Sequence, residues 1–215
     1  MQYLAALDYE HLDNGVFLTT LARAISQQKN VRPILIHSDS EYTERVIQTG
    51  VMRDEAVVRS IKGLNHRLIA LLADQGVSTI GINGYQRELI TLENDSLSLD
   101  KSFFNRLPSQ SALLLSTLVL DKTSGKPLPV ALTRFASFLR KELPIDEFFI
   151  FSASDSDELF TKEKKPDTMK WENLDDEYQN VFIPKEFKQF NRPVRLTTAR
   201  EFDQVPQLEK TSLIH

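Results

Sequence analysis

The chain has no cysteine, which excludes disulfides, thiolate metal centres and cysteine nucleophiles. Glycine is scarce, at 7 of 215 residues, about half the usual share of roughly 7%. Proteins that grip nucleotide phosphates bring the backbone close to the ligand through glycine turns. The scarcity therefore weighs against such an enzyme. An excess of positive charge is also missing: 26 Lys and Arg against 30 Asp and Glu leave a formal net charge of −4. That balance does not imply wholesale binding to nucleic acid or an anionic membrane. No apolar run approaches the roughly 18 residues of a membrane span. The opening MQYLAALDYEHL lacks the basic start of a signal peptide. The expectation is a cytoplasmic protein with neither membrane nor nucleic acid as partner.

What is present is ordinary globular composition, 41% hydrophobic and 26% charged, enough for one sizeable core. Strand and helix signals alternate along it. QYLAAL (2–7) is a short apolar strand. Asn14 can cap a helix in which Phe17, Leu18, Leu21, Ala22 and Ile25 repeat at helical spacing. PILIH (33–37) is a second strand, followed by a helix over 41–48. Val57, Val58, Ile61, Leu64, Leu68, Leu71 and Leu72 line a helix over 55–75, closed by Gly76. VSTIGING (77–84) is a third strand, and ELITLEN with LSLDKSFF predicts a hairpin on the rim.

SALLLSTLVL (111–120) reads as one continuous strand buried on both faces. After a turn at 121–126, an amphipathic helix over 130–143 carries Phe135, Phe138 and Leu139, and EFFIFSAS (147–154) is the next central strand. Strands spaced by helices imply an α/β fold, with a mostly parallel central sheet and helices on both faces. Beyond 154 the texture changes. The charged stretch 155–180 reads as a surface excursion, VFIPKEFKQF (181–190) as a short helix-like segment, and RPVRLTTA and KTSLI as late strands. One domain is expected, with a core lobe at 1–154 and a reduced C-terminal lobe at 155–215.

Order and spacing over most of the chain resemble the amino acid kinase family, its acetylglutamate kinase branch in particular. LNHRLIALLADQGVSTIGINGYQRELI (64–90) is similar to that family's helix-strand segment, with Asn65, Leu68, Ile69, Leu72, Gly76, Gly81, Gly84, Leu89 and Ile90 in place. Ile36-His37 matches the start of its IHGGG, and 111–129 resembles its next strand and loop. Residues 131–154 resemble a helix and the strand of its FLTDV. VFIPK (181–185) resembles its GMIPK, and the last strands resemble its closing GTxI.

The resemblance implies an ATP-dependent, Mg-assisted phosphotransferase, but the expected site residues differ. Where the family has K-x-G-G this chain has Leu4-Ala5-Ala6-Leu7-Asp8. Where it has GGG there is Ser38-Asp39-Ser40, and its N-x-N-A-D falls near Leu128 to Leu132 without asparagine or aspartate. Its substrate-gripping arginine loop is shortened to VMRDEA, which contains Arg53. Lys185 alone survives, in IPK. Phosphoryl transfer needs preorganised positive charge.

The implied protein is therefore a noncatalytic ligand-binding or regulatory one, with no cofactor. One alternative is a divergent kinase for an acyl amino acid or other small carboxylate, using ATP, Mg and Lys185. The third is a partner subunit of a true family enzyme, with 155–180 as its contact. A homodimer through a surface helix is a further expectation.

Candidate ligand residues are Ser38, Asp39, Ser40, Arg53, Asn83 and Gly84. Each has a plainer role beside it. Ser38-Asp39-Ser40 can cap the helix that follows, and Arg53 can form a surface pair with Asp54. His37, at a strand end, reads as a satisfied structural histidine. His11, His66 and His215 are too scattered for a metal site, and none is expected. Asp155, Asp157 and Glu158 fit a cation site but read more simply as a solvated acidic loop, and Lys162, Lys164 and Lys165 as solvent-facing. Trp171 marks either a contact site or a side chain folded back on the core.

Overall fold

The computed structural model describes residues 1–154, 167–208 and 211–215. Its first strand, β1 (Gln2–Leu7), leads through helix α1 (Gly15–Gln27) to β2 (Arg32–His37). Asn14 caps α1, its side chain accepting the Phe17 amide at 3.0 Å. Helix α2 (Tyr42–Gln48) and the long α3 (Arg53–Asp74) follow, and α3 ends at Gly76, whose φ of +80° lets the chain turn out of the helix. Strand β3 (Thr79–Asn83) comes next.

Then β4 (Ile90–Glu93) and β5 (Ser96–Leu99) form the expected rim hairpin, turning at Asn94 and Asp95 with φ of 46° and 60°. The short helix α4 (Lys101–Asn105) is capped by Asp100. After it come β6 (Ala112–Ser116), β7 (Leu118–Asp121), β8 (Lys126–Pro129), α5 (Leu132–Glu142) and β9 (Glu147–Phe151). The C-terminal part contains β10 (Asp167–Met169), α6 (Asp176–Phe182), β11 (Val194–Thr197) and β12 (Ser212–Ile214).

Eight strands make one sheet in the order β10-β12-β11-β9-β1-β2-β6-β3. Every neighbouring pair is parallel except β11 with β12. The α/β reading holds, and the helices cover both faces. Because side chains alternate along a strand, Tyr3, Ala5 and Leu7 of β1 join α1 and α3 in one core. Leu4 and Ala6 meet α5, through Phe135, Ala136 and Leu139, in the other. Each large apolar side chain buried this way contributes about 1.5–3 kcal/mol. Among the described residues no helix is long and apolar enough to cross a membrane.

Three sequence expectations need correction. The run 111–120 is two strands: β6 lies in the large sheet, while β7 pairs with β4 and β8 in a separate four-stranded sheet of order β5-β4-β7-β8. Thr117 is the break. Its amide bonds the His37 carbonyl at 3.0 Å, and its carbonyl accepts the Val130 amide at 3.0 Å. A continuous apolar run cannot reveal such a switch, because both strands are buried. Next, 155–180 is not a single excursion, since β10 re-enters the sheet beside β12. Finally, 181–190 is not one helix: α6 ends at Phe182, and a separate 3-10 turn forms at Lys185–Phe187 after Pro184. Asp155, Asp157, Glu158, Lys162, Lys164 and Lys165 lie outside the described residues.

Candidate functional site

In open α/β sheets ligands sit outside the carboxyl ends of the strands. Here the ends of β1 and β2 and the 3-10 turn at Lys185 border a cleft of about 330 Å³, lined by Asp8, Tyr9, Glu10, Glu41, Lys185 and Glu186. Asp8 ends β1. One of its carboxylate oxygens takes the Glu10 amide at 3.0 Å, and the other lies 2.6 Å from Nδ1 of His11. The second ring nitrogen of His11 lies 2.9 Å from the Ser152 carbonyl, just past β9. A carbonyl only accepts, so His11 Nε2 carries a proton and donates it there. A further proton is then shared between Nδ1 and Asp8. Both residues are buried, and the pair ties the end of β1 to the end of β9.

Glu186 reaches in from the C-terminal segment. One of its oxygens accepts the Tyr9 amide at 3.0 Å, and the other lies 3.5 Å from the Ser38 hydroxyl, a marginal contact. Burial is the main reason its carboxyl is pushed up to about 7, and the negative neighbours Asp8 and Asp39 add to it. The Asp39 carboxyl is likewise raised, chiefly by burial. The Tyr9 phenol is raised by desolvation and then by Glu41, Asp39, Glu44 and Asp13. Burial is the first cause of all three shifts, and acidic neighbours add to those of Glu186 and Tyr9. Lys185 is the cation of the cleft. Its ammonium is paired with Glu10 at 2.8 Å, which raises its pKa, and it is 80% exposed.

Of the residues singled out from sequence, Ser38, Asp39 and Lys185 come together around Glu186. Ser40 is fully buried, and its hydroxyl accepts the Tyr42 amide at 3.3 Å. Thr43 donates to Asp39 at 3.5 Å. The Ser40 hydroxyl thus takes one first-turn amide of α2, while the N-cap position itself is Glu41, whose side chain makes no cap bond, and Asp39 holds the Thr43 hydroxyl. Arg53 pairs at the surface with Glu44, at 3.1 Å, rather than with Asp54.

Asn83 and Gly84 lie apart from the cleft lining, at the end of β3. The Asn83 side-chain oxygen, Oδ1, accepts from the Ser116 hydroxyl at 2.8 Å, and a Cβ at Gly84 would stand 2.7 Å from the Leu118 carbonyl. His37 is buried and satisfied. Nδ1 donates to the Ser38 carbonyl at 3.0 Å, and Nε2 accepts from Asn65 at 3.0 Å. Burial lowers its pKa to about 4, so the ring is neutral. Trp171 folds back, packing on Phe190 and donating to the Arg192 carbonyl at 2.9 Å. Glu186 was missed, although an acid directly after the surviving IPK lysine was there to be read. Among the described residues no group of three His, Asp or Glu is placed to hold a metal ion.

ATP with Mg, which the resemblance implies, does not fit these residues. The Tyr9 and Glu10 amides are already taken by carboxylates, four of the six lining residues are acidic (Asp8, Glu10, Glu41, Glu186), and the one ammonium, Lys185, is paired with Glu10.

This layered sheet recurs in solved structures. An N-acetylglutamate synthase from Neisseria gonorrhoeae, complexed with coenzyme A and L-arginine, superposes with a TM-score of 0.64 at 13% identity, over 99% of this chain and 61% of that one. An aspartate kinase from Synechocystis superposes at 0.67 with 9% identity, over 99% and 39%. A T. acidophilum isopentenyl phosphate kinase in its product complex gives 0.60 with 10% identity, over 100% of both chains. The chain therefore has the amino acid kinase fold. It spans about three-fifths of the synthase's length. No protein-family model and no curated protein matches the sequence.

Proposed function

We propose that this protein is a noncatalytic binding or regulatory protein built on the amino acid kinase fold, with a crevice that does not perform ATP-dependent phosphoryl transfer. The observation that carries this reading is Glu186. Its carboxyl accepts the Tyr9 amide at the end of β1, one of the backbone donors that an entering phosphate would need there. Asp8 does the same to the Glu10 amide, and Glu10 in turn holds Lys185. A triphosphate would have to displace these internal carboxyl contacts, with Glu41 also lining the crevice. Removing even one preorganised donor from a reacting site costs about 3 kcal/mol of transition-state stabilisation.

Calorimetric titration with ATP and Mg²⁺ tests this reading. No saturable heat is expected at millimolar nucleotide, and a micromolar dissociation constant overturns it. The rival, a divergent kinase for a small carboxylate, requires ATP turnover that Lys185→Ala abolishes. The same reading places the protein in the cytoplasm, as a homodimer through a surface helix or beside a related enzyme. Light scattering on the purified chain and capture from native extract separate those two arrangements.

A further inference from the structure

A second cleft, of about 600 Å³, opens beside β3, which with β10 is one of the two edge strands of the large sheet among the described residues. It shares no lining residue with the crevice over the strand ends. Its floor is apolar: Ile80 and Ile82 from β3 face Phe103 and Leu107 from α4 and the turn after it. Tyr85, Gln86 and Arg87 form the lip. This size and this mixture of apolar walls with a few placed polar groups are those of small-molecule sites, roughly 300–1,000 Å³.

The charge around the cleft is positive. The Arg87 guanidinium stands 5.6 Å from the Phe103 ring centroid, and the Arg106 guanidinium 5.8 Å from the same ring. The Lys62 ammonium lies 4.9 Å from the Tyr85 ring. Several other guanidiniums are ion-paired, Arg59 with Glu55, Arg134 with Asp95 and Arg195 with Glu147, while Arg32 and Arg140 bond the Gln2 side-chain oxygen and the Pro193 carbonyl. Among the described residues no carboxylate makes an ion pair with Lys62, Arg87 or Arg106. Asp100 feels Arg106, but its Oδ1 is taken by the Ser102 hydroxyl at 2.7 Å and the Phe103 amide at 2.9 Å. Glu88, next to Arg87, is bound to Lys122.

The lip is also held in place. Arg87 and Glu88 are both left-handed, at φ of 53° and 55°, a conformation that non-glycine residues adopt at a cost. Gln86 fastens the lip by accepting the Asn83 amide at 2.8 Å, and the Tyr85 amide bonds the Leu118 carbonyl at 2.7 Å.

We propose that this edge cleft binds a small amphipathic anion, an aryl or acyl carboxylate, sulfonate or phosphate free in solution, with its apolar body on Ile80, Ile82, Phe103 and Leu107 and its charge met by Arg87 and Arg106. Charge complementarity selects this occupant: the Arg87 and Arg106 guanidiniums flank the Phe103 ring over the apolar floor, and neither is ion-paired with a carboxylate among the described residues.

The test uses two fluorescent probes with the same aromatic body, 8-anilinonaphthalene-1-sulfonate and the uncharged N-phenyl-1-naphthylamine, titrated into the full chain. The sulfonate should bind saturably at one site, about tenfold or more tighter than the neutral probe. Arg87→Glu with Arg106→Glu should erase that preference and leave the neutral probe's affinity unchanged, and circular dichroism melts check that the exposed substitutions leave the fold intact. Equal affinities in the native protein, a preference that survives the double substitution, or no saturable binding overturns the proposal. So does sedimentation velocity showing a dimer that the same substitutions dissociate, since the cleft is then covered by a second copy.

Discussion

The crevice over the strand ends and the cleft beside β3 differ less in how much charge they hold than in what each charge is already bonded to. In the crevice, Asp8 has His11 and an amide, Glu186 has the Tyr9 amide, and Lys185 has Glu10. Beside β3, Arg87 and Arg106 rest on one aromatic ring with no carboxylate bound to either. A charged group that has found its partner inside the chain must give that partner up before it takes a ligand. One resting on a ring face gives up only about 0.5–1 kcal/mol. Sign alone, read from composition or from a list of acids, does not distinguish the two situations.

The contrast is easiest to break at His11. If the Asp8–His11 pair is an internal fastening, His11→Ala leaves a buried carboxyl without its partner and should cost about 3 to 5 kcal/mol in urea unfolding. A loss under about 1 kcal/mol would mean the pair is available for other work.

The next effect is His37. Its ring has a folded pKa near 4, against 6.5 when unfolded. The unfolded chain therefore gains a proton first, and stability present above pH 6.5 is lost as pH falls towards 4. The size is on the order of 3 kcal/mol. Glu186 runs the other way. Its carboxyl titrates near 7 rather than 4.5, so the folded state is relatively favoured at low pH and disfavoured as pH rises from 4.5 to 7. Measuring the His37 slope by denaturant unfolding in the Glu186→Gln variant removes the opposing contribution.

That variant is itself the third prediction. Glutamine keeps an acceptor for the Tyr9 amide and loses the buried charge, so stability at pH 8 should rise by about 1 to 2 kcal/mol. A fall would show that the bonds the charged carboxylate makes outweigh the cost of burying it. The smallest effect is expected at Lys185. Its ion pair with Glu10 is exposed to solvent, so Lys185→Ala should leave the melting temperature unchanged within error, whatever it does to any activity.

Much of the fold was legible because burial writes itself into spacing. The helical repeat from Val57 to Leu72 marks α3, and the apolar block Leu4 to Leu7 marks a strand covered on both sides. The passage from β6 to β7 was not legible, since Leu115 and Leu118 are equally buried in different sheets. The crevice was half legible. Missing glycines and an aspartate at the β2 turn point to altered chemistry, and Ser38, Asp39 and Lys185 do converge there. Glu186 was the side chain that explains them, and its role depends on a contact between positions 9 and 186 that no local pattern encodes. The edge cleft is of the same kind, joining residues from 62 to 107 through tertiary packing alone.

Thr117 has a mechanical consequence. One peptide unit on either side of it is bonded to the end of β2 and to the residue just after β8, so the four-stranded sheet is riveted to the strand that presents His37 and Ser38. A rocking motion of that smaller sheet cannot be absorbed by a slack connection. It would be transmitted to the rim of the crevice, where hydrogen exchange at the Thr117 amide would register it.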